Sequence, residues 1–170
     1  MLNPDFAEML VALSAEGVEY LLVGAYAMAA HGVPRATGDI DIWVRPTPEN
    51  AERVLRAPGR FGAPLFDLTA ADLARKGTVF QLRVPPRRID ILTSIDGVTF
   101  DEAWPGRVTC RLGDVEVIVI GRETLVRNKR AVRNKRAAAR PKDLVDLRIL
   151  EPGVPRRWKP RSRRSRRPKR

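Results

Sequence analysis

Three acidic residues lie inside runs that otherwise read as apolar strands. Asp39-Ile40-Asp41-Ile42-Trp43-Val44 opens on strict acid–aliphatic alternation, and Arg88-Ile89-Asp90-Ile91-Leu92 carries a third acid. On a strand, alternation places Asp39 and Asp41 on one side, roughly 7 Å apart, with Ile40, Ile42 and Val44 on the other. Two facing carboxylates repel unless a cation lies between them. A charge in the middle of a buried strand is rare unless it is paired or bound to metal. The chain has one histidine, His31, and one cysteine, Cys110. Neither a histidine cluster nor a cysteine cage can therefore form, and any metal must be held by carboxylates, which suits magnesium or manganese. A bare Asp-Ile-Asp fits the solvated face of an edge strand just as well. The third acid, and a phosphate seat just upstream, turn the reading toward two-metal phosphoryl transfer.

Around these residues the sequence predicts alternating helices and strands. Pro4 to Ala15 has Phe6, Met9, Leu10 and Leu13 on one face, and Asn3 stands before Pro4 as a cap. Tyr20 to Val23 reads as a short buried strand closed by Gly24, and Ala25 to His31 as an alanine-rich helix ended by Gly32 and Pro34. That strand–turn–helix would present backbone N–H groups to a phosphate. Further helices are expected over Pro48 to Ala57 and, capped by Thr69, over Ala70 to Lys76. Strands are expected over Thr78 to Val84 and Arg88 to Thr93, with a hairpin, Val108 to Leu112 and Val115 to Ile120, around Gly113 and Asp114. Glu123 to Ala139 and Lys142 to Leu150 read as helices separated by Pro141. The fold class expected is α/β: a small mixed sheet flanked by helices, with C-terminal helices and a disordered basic tail.

Gly24-Ala25, thirteen further residues, then Asp39-Ile40-Asp41-Ile42 resembles the nucleotidyltransferase signature of the polymerase-β superfamily. Arg35-Ala36-Thr37-Gly38-Asp39-Ile40-Asp41 resembles its Arg-x-Thr-x-Asp-x-Asp form, familiar from toxins of bacterial abortive-infection and toxin–antitoxin systems. Asn134 to Ala137 and Arg140 to Leu144 are similar to the C-terminal helices of that group. The likeness spans Glu19 to Leu150. It implies a nucleotidyltransferase domain over 1–151, transfer of a nucleoside monophosphate from an NTP to a hydroxyl of RNA or tRNA, and an antitoxin partner. It implies Asp39, Asp41 and Asp90 as catalytic ligands of Mg2+ (or Mn2+), with Asp90 near the attacking hydroxyl. It implies Gly24 and Ala25 at the triphosphate, Arg35 and Thr37 supporting strand and nucleotide, and Lys129 or Lys135 at phosphate. The family has Gly or Ser where this chain has Ala25, which keeps the backbone donor but loses a hydroxyl. Two other readings stand beside the first: a catalytically weak or inactive nucleotide- or RNA-binding module, and an antibiotic nucleotidyltransferase of the aminoglycoside type.

The two lysines arise from a tandem repeat, VRNKRA at Val126–Ala131 and again at Val132–Ala137. Six helical residues turn about 600°, which is 120° short of two turns, so the copies cannot present one face. Sequence alone leaves Lys129 and Lys135 open. The 170 residues suit one domain. The net charge of +12 is concentrated: ten of the 32 Lys and Arg fall in 156–170 with no acid, leaving 22 against 20 elsewhere. The expectation for 152–170 is a disordered Arg-rich tail, either an electrostatic nucleic-acid binder with Trp158 as a stacking residue or a solubilising end. No apolar run approaches a membrane span, and the N-terminus lacks the basic start of a signal peptide, so a cytoplasmic protein is expected. His31 reads as a packing or capping residue, Trp43 as a candidate for stacking on a base, Phe100 and Trp104 as packing residues, Cys110 as a small buried hydrophobe, and Arg87 and Arg88 as phosphate neutralisers or solvated cations.

Overall fold

In the computed structural model, residues 2–61, 68–84 and 87–135 are described, the side chains of 58–61, 83, 84 and 135 aside. The expected helix over Lys142 to Leu150 and the basic tail lie outside the described residues. The chain opens with helix α1 (Pro4–Ala15), where Asn3 accepts from the N–H of Asp5 at 2.9 Å and Phe6 at 3.4 Å, the expected cap. Strand β1 (Tyr20–Val23), helix α2 (Gly24–Ala30) and strand β2 (Asp39–Val44) follow. Helix α3 (Pro48–Phe61) runs past the expected end at Ala57. Helix α4 (Ala70–Ala74) is shorter than expected, and it starts at a reciprocal cap between Thr69 and Asp72. Strands β3 (Val79–Val84) and β4 (Arg87–Leu92) come next, then a short helix α5 (Phe100–Ala103) with a 3-10 turn at Trp104–Gly106. Strands β5 (Val108–Leu112) and β6 (Val115–Val119) form the expected hairpin, and α6 (Arg122–Lys135) closes the described chain. Helix α5 was not foreseen; its four residues carry no period, and only the Thr99–Glu102 capping box marks it.

The six strands form one mixed sheet in the order β3-β4-β2-β1-β6-β5. Strand β2 runs parallel to β4 and antiparallel to β1, and β1 runs parallel to β6. One face of the central strands, with Ile40, Ile42, Val44, Ile89 and Ile91 fully buried, joins α1 and α3 in the core. At roughly 25 cal/mol per Å2 of apolar surface, each such side chain contributes about 2 kcal/mol. The other face carries the acids. Trp43 lies on that face too, but it is 1% exposed and packs edge-on against Phe100 with centroids 5.0 Å apart. Stacking of a base on Trp43 is therefore ruled out by its burial. Phe100 in turn stacks on Trp104 at 5.4 Å, so both are packing residues as expected.

One end of the β1–β2 pair is fastened by one polar side chain. Asn50, 1% exposed on α3, accepts from the Glu19 N–H at 2.8 Å and donates to the carbonyls of Glu19 and Arg45, each at 3.0 Å. Asn50→Ala strands three backbone groups that water reaches poorly, so urea unfolding should register a loss of about 2–3 kcal/mol. A loss under about 0.5 kcal/mol would show that this clamp is not structural.

Candidate active site

The parallel pairing of β2 with β4 sets Asp39 beside Arg88 and Asp41 beside Asp90. Since alternate residues share a face, these four side chains occupy the corners of one square: three carboxylates and one guanidinium. Arg88 Nη2 lies 3.0 Å from Asp39 Oδ2, and its Nε lies 2.8 Å from Asp90 Oδ1, so one arginine bridges two corners. Asp90 is buried, with its side chain 8% exposed, whereas Asp39 is 44% exposed. Burial first, then the charges of Asp90 and Asp39, raise the proton affinity of Asp41. Burial likewise raises that of Asp90, against the lowering effect of Arg88.

Local backbone chemistry builds the square. Gly24 has φ +63°, and a Cβ there would fall 2.1 Å from Asp41 Oδ2. The turn between β1 and α2 is thus the wall against which Asp41 rests, and glycine alone leaves room for it. Thr37 Oγ1 accepts from the Asp39 N–H at 3.1 Å and donates to the Asp39 carbonyl at 3.0 Å, pinning the entry to β2. Ala25 is half-buried in the first turn of α2, and Arg35 is half-buried in the loop before β2.

Helix α6 brings a fourth element to the acidic face. Asn128 donates to the Asp96 carbonyl at 2.9 Å, Arg127 pairs with Glu102 at 3.2 Å, and Gly97 meets the methyl of Ala131. So fastened, α6 lets the charge of Lys129 favour the ionised form of Asp41. Lys129, of the first repeat copy, thus lies within electrostatic reach of the acids; the side chain of Lys135 lies outside the described residues. His31 is tied into the scaffold. Its Nε2 sits 2.8 Å from the carbonyl of Ile120, so that nitrogen carries the proton and donates, tying the end of α2 to the end of β6.

Among the described residues, no three His, Cys, Asp or Glu side chains form a ready cage for an ion, and Arg88 lies between Asp39 and Asp90. The donor set nonetheless suits a hard divalent ion: three carboxylates on one face, two of them destabilised as anions by burial. A cleft of about 480 Å3 lies at the other end of the strands, past the C-terminal ends of β2 and β4, lined by Arg45, Lys76, Ser94, Phe100 and Arg127 among others; none of the three acids lines it. Arg88 is the residue that sequence reasoning left undecided. Its position two residues before Asp90, hence on the same face, was the available signal.

Two substitutions test this geometry. Gly24→Ala should cost about 1–2 kcal/mol through its positive φ alone and also push Asp41 out of the square; an unchanged midpoint in urea would refute the close approach. A carboxyl whose folded proton affinity is raised gives stability that is complete below its unfolded pKa, about 3.9, and lost as pH rises through the folded value. Asp41→Asn should therefore melt above wild type in EDTA at pH 7, with the gap narrowing as pH falls toward about 4. A variant that melts below wild type at pH 7 would contradict the assigned strain.

No protein-family model matches the chain, and no curated protein does. Among solved structures, a crystal structure titled "putative nucleotidyltransferase", from Thermotoga maritima, is similar: the TM-score is 0.52 at 17% identity, over 73% of this chain and 82% of that one. At that identity the likeness is one of fold, and the fold of this chain is that of a nucleotidyltransferase.

Proposed function

We propose that the chain is a metal-dependent nucleotidyltransferase that moves a nucleoside monophosphate from an NTP to a hydroxyl acceptor, RNA or tRNA in preference, as the toxin of a toxin–antitoxin pair would. The observation that carries the reading is the placement of Asp41 directly beside Asp90, with Asp39 one step along the same face, in a nucleotidyltransferase fold. Three carboxylates this close are poor structure in the absence of a cation, and good ligands in its presence.

Asp39, Asp41 and Asp90 would hold Mg2+ or Mn2+, which supplies positive charge to the triphosphate. The backbone at Gly24 and Ala25 would seat phosphate oxygens, with Arg35 and Thr37 supporting nucleotide and strand, and Lys129 would add a positive charge beside Asp41. The acceptor oxygen attacks the α-phosphorus as its proton passes to the Asp90 carboxylate, whose proton affinity burial has raised. The bond from the α-phosphorus to its bridging oxygen breaks, and pyrophosphate leaves with the electron pair.

A second reading draws on two observations: Arg88 closing the triad, and Ala25 in place of Gly or Ser. Both suit a nucleotide- or RNA-binding module without turnover. The experiment that separates them incubates each α-labelled NTP with total RNA and Mg2+. Wild type should transfer label from one NTP, and Asp41→Asn should lose at least about a hundredfold of that rate. Label on an aminoglycoside but not on RNA would move the acceptor to small molecules. No transfer to either, with NTP binding retained, would make the binding module the better reading.

A further inference from the structure

Among the described residues, the side chain of Arg88 is held by acids that the proposed reaction needs. Its guanidinium meets Asp39 at 3.0 Å and Asp90 at 2.8 Å, and the backbone of Arg88 pairs with Asp39 across the parallel ladder. It cannot leave the neighbourhood, because its Cα is fixed in a central strand, yet its side chain is 36% exposed. Arginine stays charged at any pH a protein survives. The fork therefore occupies carboxylate oxygens of Asp39 and Asp90, two of the three residues that would hold a divalent ion, and an ion drawing on those oxygens would compete with it.

We infer that Arg88 is a built-in counter-ion that competes with the divalent metal for Asp39 and Asp90, so that metal entry requires the guanidinium to swing off the triad. This inference rests on the proposed metal-dependent reading of the site. Without a divalent ion, Arg88 relieves the repulsion among the three acids and keeps the sheet intact. With the ion bound, the displaced guanidinium would stay on the same face of the sheet, where the phosphate oxygens of a nucleotide would offer it a replacement partner. Metal and nucleotide would then each favour the binding of the other, since each removes part of the cost the other faces. The device sets a threshold: the acids accept a metal readily only when phosphate is present to receive the arginine.

The test is Mn2+ binding to the full chain, by electron paramagnetic resonance of the free ion, with thermal melting alongside. Arg88→Gln removes the competing charge and keeps a polar side chain of similar reach; Arg88→Lys keeps the charge without the fork. Arg88→Gln should bind Mn2+ about fivefold more tightly than wild type, melt lower in EDTA, and gain more from added Mn2+. Arg88→Lys should fall between the two. A merely structural arginine predicts the reverse for metal, weaker binding in a destabilised fold. Equal or weaker Mn2+ binding in a folded Arg88→Gln overturns the inference while leaving the metal site standing. If neither wild type nor Arg88→Gln binds Mn2+ in a manner that Asp41→Asn abolishes, the metal-dependent reading falls, and this inference with it.

Discussion

Everything on the acidic face follows from one pairing: β2 and β4 run parallel and in register, so Asp41 and Asp90 sit side by side with their carboxylates on the same surface. Neighbouring strands are about 4.8 Å apart, a distance at which two partly buried anions repel strongly. The chain answers with positive charge from two directions. Arg88 reaches across from the same sheet, and Lys129 comes from α6. A site strained in this way is costly to maintain for stability alone, which is why such clusters are found where a ligand completes them.

The remaining structure holds these charges in place. The isoleucines that alternate with the acids are fully buried and anchor β2 and β4 in the core, which prevents a register slip that would exchange the two faces. Gly24 supplies the turn against which Asp41 lies, and Thr37 pins the start of its strand. At the far end of the strand, Asn50 locks Arg45 to Glu19, and the Arg45 guanidinium lies 4.7 Å above the Phe100 ring. The loop around Gly97 then receives α6. A side chain at residue 97 would collide with Ala131, so helix and loop approach closely enough for Asn128 to bond the Asp96 carbonyl.

Much of the scaffold was legible from local pattern. The amphipathic period of α1, the Asn3 cap, the alternation of β2 and the Gly113–Asp114 hairpin are properties of neighbouring residues, and the structure bears out each. The short helix α5 was invisible because four residues are too few to display a period. The burial of Trp43 was misjudged for a related reason. Alternation correctly placed it on the face of Asp39 and Asp41, but burial depends on Phe100, 57 positions away, which no local pattern brings near.

By itself the sequence determined that acids and aliphatics alternate at Asp39, Asp41 and Asp90, and hence that one face of these strands is apolar and the other charged; strand geometry alone requires it. It could not determine which copy of VRNKRA faces those acids, because the two are identical and differ only in where α6 is fastened. Tertiary structure shows how the first copy is held. Asn128 of the first copy is half-buried and bonded to Asp96, whereas Asn134 of the second is exposed, and Lys129 acts on Asp41. The same holds for Arg88, whose role as a bridge exists only once the parallel register has brought two strands, some fifty residues apart in the chain, side by side.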